Sequence, residues 1–510
     1  MRRLSSIVAL LCLANGPACS DSTAFAVRSG PDAQGGSGGV AGASGAAGES
    51  GASGSSGAAG PGGSSGTAGS SGASGAGGAA GGDGGSCVAG YRITEIDVGS
   101  TIVTNENEAA LMPLALSSVP SGGSRLAWMD AGGMVHIATL DAGDRLTSSS
   151  FTLPAHDLAD LYADDRGGVI LVARDARGGG TQNCGTLTNL CGSNLPSSES
   201  CYDMYLVRFD GTTETWAAKL TDSTSSLPPY STGPTGPDVV FIWSAYAHHG
   251  RIASDGSRYA AYFGVALSRA DDCTNGGGTN GRGINIFQGD RMKVVASDGT
   301  LQSDGFNFGC STSGYERVVW DAGARKFVAV CKTGERISLA PPSGMSTTIS
   351  ALDPYYGNLG NVVVSPAGGY WLTASNAQTG QPAKAAGLAD VHLLHFSSGT
   401  ADRDLLIASD GALNERAPHL APFGATRMLA AWETSSVAGD LSANDRNRNL
   451  YMQSLNAATG APEGGQINVP DVDGNRYQEF RGYPDGSVAY AAPGSTNTRI
   501  KIVRVPPCAP

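Results

Sequence analysis

Charge is scarce in this 510-residue chain. Asp, Glu, Lys and Arg make up 15% of it, against roughly 25% in an ordinary globular protein. The balance leans acidic: 33 basic side chains face 45 acidic ones, a formal net charge of −12. That argues against nucleic acid, whose capture needs basic patches, and against an anionic membrane surface. Past Ala14 no apolar run reaches 18 residues, so the mature chain offers no transmembrane helix. No C-x-x-C or H-x-x-x-H pair exists, which removes the usual zinc spacings. The folded region has no G-x-S-x-G elbow and no H-E-x-x-H, and the glycine cluster after Asn275 lacks the Lys-Ser/Thr of a phosphate loop.

The N-terminus reads as an export signal. Arg2 and Arg3 precede an apolar run from Leu4 to Ala14, long enough for a signal core and too short to cross a bilayer. Gly16-Pro17-Ala18-Cys19 offers a lipoprotein-type cut before Cys19, although a large aliphatic residue usually stands where Gly16 does. Ala24-Phe25-Ala26 offers the alternative cut of a soluble secreted protein. The composition of the next segment favours lipidation of Cys19, since a long flexible tether makes most sense behind a membrane anchor. Glycine is abundant, 75 residues in all, and 24 of them fall in the 57 residues from Gly30 to Ser86. That stretch is nearly all Gly, Ser and Ala. It cannot bury enough surface to offset its ordering entropy, so disorder is expected. The expected organisation is therefore a signal peptide over 1–18, a lipid-anchored Gly/Ser/Ala linker over 19–86 and a folded domain over 87–510. The signal and linker resemble those of myxobacterial surface lipoproteins. The resemblance implies an outer-membrane, cell-surface location, with a secreted soluble protein as the alternative and no membrane contact beyond the lipid.

Eight cysteines remain after Cys12 and Cys19: Cys87, Cys184, Cys191, Cys201, Cys273, Cys310, Cys331 and Cys508. An even number in an exported chain points to disulfides. Cys87 and Cys508 bracket the folded region and pair best with each other. Cys310 and Cys331 flank a strand-like unit and can pair across neighbouring strands. The other four leave three connectivities open.

From Gly90 onward short β-rich runs alternate with Gly, Asp, Asn, Ser and Pro turns, and helix signals are almost absent. One unit recurs seven times. Its second strand reads RLAWMD, VILVARD, RYAAYFG, KFVAVC, YWLTAS, RMLAAWE and SVAYAA; its third reads MVHIATLD, MYLVRFD, RMKVVASDG, RISLA, VHLLHFS, LYMQSLN and RIKIVRV. Seven small sheets arranged radially make an all-β, seven-bladed β-propeller. A lone strand, YRITEIDVG, precedes the first unit and fits as the outer strand of the last blade. Trp128, Trp371 and Trp432 recur at equivalent sheet positions and are expected in the core.

Aligning the units on the turn after the first strand places polar residues at strand starts. His156, His249, Tyr315, Asn361, His419 and Glu479 would ring one mouth, with His248 beside them. His249, Arg251, Tyr315 and Arg317 also combine a proton exchanger, a phenol and guanidinium groups. In residue type this set resembles the acid/base groups of propeller polysaccharide lyases, which would imply β-elimination beside a uronate carboxylate. Asp471, Asp473 and Asn475 begin an oxygen-rich loop that does not complete a calcium pattern, and a solvated turn is the simpler reading; no cofactor is expected. The overall expectation is a monomeric binding module for a polysaccharide or another surface protein, with an exported polysaccharide-degrading enzyme as the alternative.

Overall fold

The computed structural model describes residues 90–507 apart from 104–112, 176–201, 222–239, 244–249, 271–283, 307–308, 311–314, 334–335, 342–345, 353–357, 379–386, 440–447 and 474–477. Cys87, Cys184, Cys191, Cys201, Cys273 and Cys508, and with them the expected Cys87–Cys508 bond, lie outside the described residues. So do the proposed signal and linker.

The described residues form seven four-stranded antiparallel sheets. Blade one begins at the innermost strand Leu114–Ser118, blade two at Asp157–Ala163 and blade three at Arg251–Ser254. Blades four to seven begin at Arg317–Asp321, Leu359–Val364, Asn414–Phe423 and Arg481–Gly482. Each blade then meanders outward, and the repeated runs read from the sequence are its second and third strands. Seven apolar clusters sit in the seven seams between successive blades, including the seam from blade seven back to blade one. Every blade thus buries both faces, which is why its second strand is mostly apolar rather than alternating. Ser124–Met129 is buried at all six positions. Trp128, Trp371 and Trp432 lie in these seams.

The ring closes with the lone strand. Arg92–Asp97 pairs antiparallel with Arg499–Val505 and becomes the outermost strand of blade seven. Within that pairing Arg92 stands opposite Arg504, and both reach Asp144 of blade one. Arg504 donates to its carboxylate from Nε at 2.8 Å and Nη2 at 2.6 Å, and Arg92 Nη2 donates at 2.6 Å. Arg504 also donates to Ser487 Oγ at 2.9 Å and lies over the Tyr483 ring, 4.0 Å from its centroid. Asp144 adopts φ 60°, a left-handed conformation that Asp and Asn tolerate better than most residues.

Because neighbours are antiparallel, all innermost strands start on one face, called here the mouth face. The connections between second and third strands, and from each blade to the next, lie there. The opposite face carries tight turns such as Asp255-Gly256, where Gly256 takes φ +88°. Blade three departs from the pattern. Its strands Arg258–Ala270 and Ile284–Ala296 pair over thirteen positions, so the hairpin rises past the mouth face. A strand at Val240–Trp243, absent from the sequence reading, pairs with its upper half.

Cys310 and Cys331 form a disulfide, as expected from their flanking positions, with Cα atoms 6.3 Å apart. It ties the approach to blade four onto that blade's second strand, inside the seam with blade three.

Candidate functional site

The seam clusters are apolar, but the axis is not. Three innermost strands carry register irregularities: at Leu158/Asp160, at Leu359/Val362 and at Arg416/His419. A bulge bends its strand and re-aims the side chain beside it. Here the affected residues include Asp160, Asn361 and His419, and all three belong to a buried polar cluster on the axis.

Ion pairs reach across the channel. Arg251 Nε of blade three lies 3.0 Å from Glu479 Oε1, at the approach to blade seven. Glu479 Oε2 lies 2.6 Å from Arg481 Nη1, and Arg481 also pairs with Asp160 of blade two. Asp160 Oδ2 accepts from the Ile252 backbone at 2.8 Å. Arg317 turns the other way. It donates to the carbonyls of Leu359 at 2.6 Å, Gly360 at 3.1 Å and Glu316 at 2.8 Å. Burial and the nearby Arg251 push its pKa down to about 9.

His419 is buried beside these cations. Burial, then Arg317 and Arg251, hold its imidazole down at about 3, so it is neutral at any physiological pH. Its ring bonds the Gln478 backbone and packs on Phe480, centroids 4.8 Å apart. Its Nε2 meets no hydrogen-bond partner among the described residues, and neither does Asn361 Oδ1. Asn361 Nδ2 donates to the Phe480 carbonyl at 3.5 Å. Glu316 points away from the axis, into the seam with blade three, where it faces Asp290. Burial raises its pKa. Tyr262 donates to Asp290 Oδ2 at 3.1 Å.

Of the residues expected at the mouth, Asn361, His419 and Glu479 converge in this cluster together with Arg251. His156 is exposed just before the innermost strand of blade two. Tyr315 is corrected: it does not line the opening. Its ring is buried in the seam of blades four and five, and its hydroxyl accepts from Asn358 Nδ2 at 2.5 Å. The strand start there turns its side chain sideways rather than inward. Arg317 stands beside that ring, its guanidinium carbon 5.4 Å from the centroid. His248, His249 and Asn475 lie outside the described residues. Asp471 and Asp473 use their backbone carbonyls internally, accepting from Lys501 and Tyr490.

Sequence reasoning missed Arg481 and Asp160, although a signal was present. Arg481 precedes Asp485-Gly486 by four residues, as Arg251 precedes Asp255-Gly256. Asp160 likewise stands four before Asp164, and Arg317 four before Asp321.

The fold and its polar axis define a seven-bladed β-propeller closed by its own first strand. No family model matches the chain, and no curated protein matches it. Solved structures with propeller-like resemblance include an α-L-arabinanase from Penicillium chrysogenum complexed with arabinobiose, at 12% identity and a TM-score of 0.37 over 81% of this chain and 98% of that one. An α-L-arabinofuranosidase from Fusarium graminearum matches at 12% identity and a TM-score of 0.38, over 84% of this chain and 98% of that one. The Aleuria aurantia lectin matches at 10% identity and 0.31, over 72% and 98%. At these values none of them bears on the ligand of this chain.

Proposed function

We propose that this chain is an exported glycan-binding module, held at the cell surface by a lipid on Cys19 and a Gly/Ser/Ala tether. Its ligand meets the mouth face above the axial cluster. The observation that carries the reading is that cluster. Side chains from several blades converge there, and two buried acceptors, His419 Nε2 and Asn361 Oδ1, end without a donor. An apolar plug would close the axis without the desolvation cost of these charges.

The lyase alternative gains no support from the described residues. Tyr315 lies in a seam, and Arg317 is occupied by three backbone carbonyls. The test is a glycan array run beside reducing-end and unsaturated-product assays. Binding without turnover is expected. Turnover, or silence across the whole array, would overturn the reading.

A further inference from the structure

We propose that the turn joining blade five to blade six on the mouth face is a latch, kept shut by a proton on Glu415. The inference is independent of the ligand and goes beyond the glycan-binding reading. The turn, residues 409–413, follows the outer strand Ala401–Ala408 and delivers the chain to the innermost strand Asn414–Phe423. Its first four residues are exposed. Asp410 closes it from within: Oδ1 accepts from the Ala412 backbone at 2.9 Å, and the carbonyl accepts from the Leu413 backbone at 2.9 Å. Two side chains tie the turn to the blades. Gln378 Nε2 of blade five donates to the Asp410 carbonyl at 3.0 Å and to the Leu413 carbonyl at 3.1 Å. Glu415 Oε2 of blade six accepts from the Asp410 backbone at 3.3 Å. The chain beyond the turn is fixed separately. Asn414 Oδ1 accepts from the Ala389 backbone at 3.1 Å, and its Nδ2 donates to the carbonyls of Val437 and Gly439 at 2.9 and 2.7 Å. The turn can therefore open while the two blades stay joined.

Glu415 is 5% exposed, and the two charges that bear on it are both acidic: Asp390, near the start of the third strand of blade five, and Asp410 in the turn itself. Asp390 Oδ1 is buried and meets no hydrogen-bond partner among the described residues. The neighbouring cations are committed elsewhere. Arg416 donates from Nε to Asn414 Oδ1 at 2.8 Å and from Nη2 to the Gly387 carbonyl at 3.2 Å. Arg448 pairs with Glu433 at 3.3 Å, and His392 with Asp404 at 2.7 Å. Burial, then Asp390 and Asp410, push Glu415 up to about 7, against the opposing pull of the Asp410 N–H. Freed with the turn, its carboxyl regains the ordinary value of 4.5. The shut form thus has its full advantage while Glu415 is protonated in both forms. That advantage is lost as pH climbs from the ordinary value through the raised one.

The experiment is hydrogen exchange of the full mature chain, in chelator so that no divalent cation can stand in for the proton. It follows the amides of Asp410, Ala412 and Leu413, each rate being compared with that of the same unstructured sequence at the same pH. Their protection is expected to fall about a hundredfold from about pH 4.5 to about pH 8. The amides of Ser257 and Arg258 are the control. They donate to Asp255 in a back-face turn, and that carboxyl, despite its partial burial, is drawn down to about 2 by the Ser257 amide and Arg258. Their protection is expected to stay level. Glu415→Gln cannot ionise and is expected to hold the mouth-face turn level across the range. Asp390→Asn removes one of the two flanking charges and is expected to make the fall shallower. Circular dichroism reports whether each variant is folded. Level protection in the wild-type chain overturns the proposal, as does a fall of the same size at the control turn. So does an undiminished fall in folded Glu415→Gln. If that variant does not fold, Asp390→Asn decides: a shallower fall supports the latch and an unchanged one overturns it.

Discussion

Replacing Asp144 with Asn tests what holds the ring shut. Asp144 is fully buried and receives Arg504, whose side chain is 9% exposed, so this pair exchanges little with water. Arg92 is 48% exposed, and its share is that of a surface contact, under about 1 kcal/mol. Removing one partner of a buried pair costs about 3–5 kcal/mol, because the other charge is left stranded. Asn keeps one acceptor oxygen and tolerates the positive φ, so backbone strain does not enter. The expected loss is therefore at the low end, about 3 kcal/mol. It would be read as the displaced midpoint of urea unfolding, followed by circular dichroism. Arg92→Ala serves as the control, with an expected loss under about 1 kcal/mol. A displacement below about 1 kcal/mol for Asp144→Asn would refute the view that this bridge secures closure. Equal losses in the two variants would refute the ranking by burial.

Three further outcomes are expected. Replacing Cys310 and Cys331 together by Ala should cost about 3 kcal/mol by the chain-entropy account of a 21-residue loop, and an unshifted unfolding midpoint would contradict it. Glu316, raised by burial and faced by Asp290, Tyr262, Arg317 and Arg251, is fully protonated in acid whether folded or not; as pH climbs past its unfolded value towards the raised one, the unfolded chain ionises first and stability is lost. Glu316→Gln should accordingly flatten the decline in melting temperature as pH rises above the ordinary carboxyl range, and an unchanged slope would show that another group causes it. Limited proteolysis should trim the chain to a core starting near Cys87, and non-reducing peptide mapping of that core should find Cys87 joined to Cys508; a protected fragment beginning before residue 60, or either thiol free, would count against the tether and the staple respectively.

The blades were legible because their physics is local. A strand buried on both faces is mostly apolar with no alternation, so RYAAYFG and YWLTAS announce themselves. The closing strand could also be placed, since one unpaired strand before seven units has a single vacancy to fill. The site was only half legible. Asn361, His419 and Glu479, picked by their distance from a turn, fall in the axial polar cluster, yet the same ruler sent Tyr315 to the opening. A count of residues does not say which way a side chain turns: Tyr315 precedes a strand with regular register, and its ring lies in the seam instead. The reach of Arg251 to Glu479, between blades that are not neighbours, has no trace in sequence spacing. The tall hairpin of blade three was hidden for another reason: Val240–Trp243 lies outside the repeat that organised the reading.

The closing strand also sets which way the molecule looks. As the fourth strand of an antiparallel blade, Arg92–Asp97 runs opposite to the third, so Arg92 lies at the back of the disc and Asp97 towards the mouth face. Arg92 therefore stands at the back rim. A chain moored through Cys19 would hang from that rim like a shield from its strap, its back to the lipid and its axial opening to the medium. Moored by its other end, at Val505, the disc would again be held from behind, since the third strand finishes on the same side. Arg92 and Val505 thus both lie on the face away from the mouth, and a partner fused at either position would sit on the back of the disc.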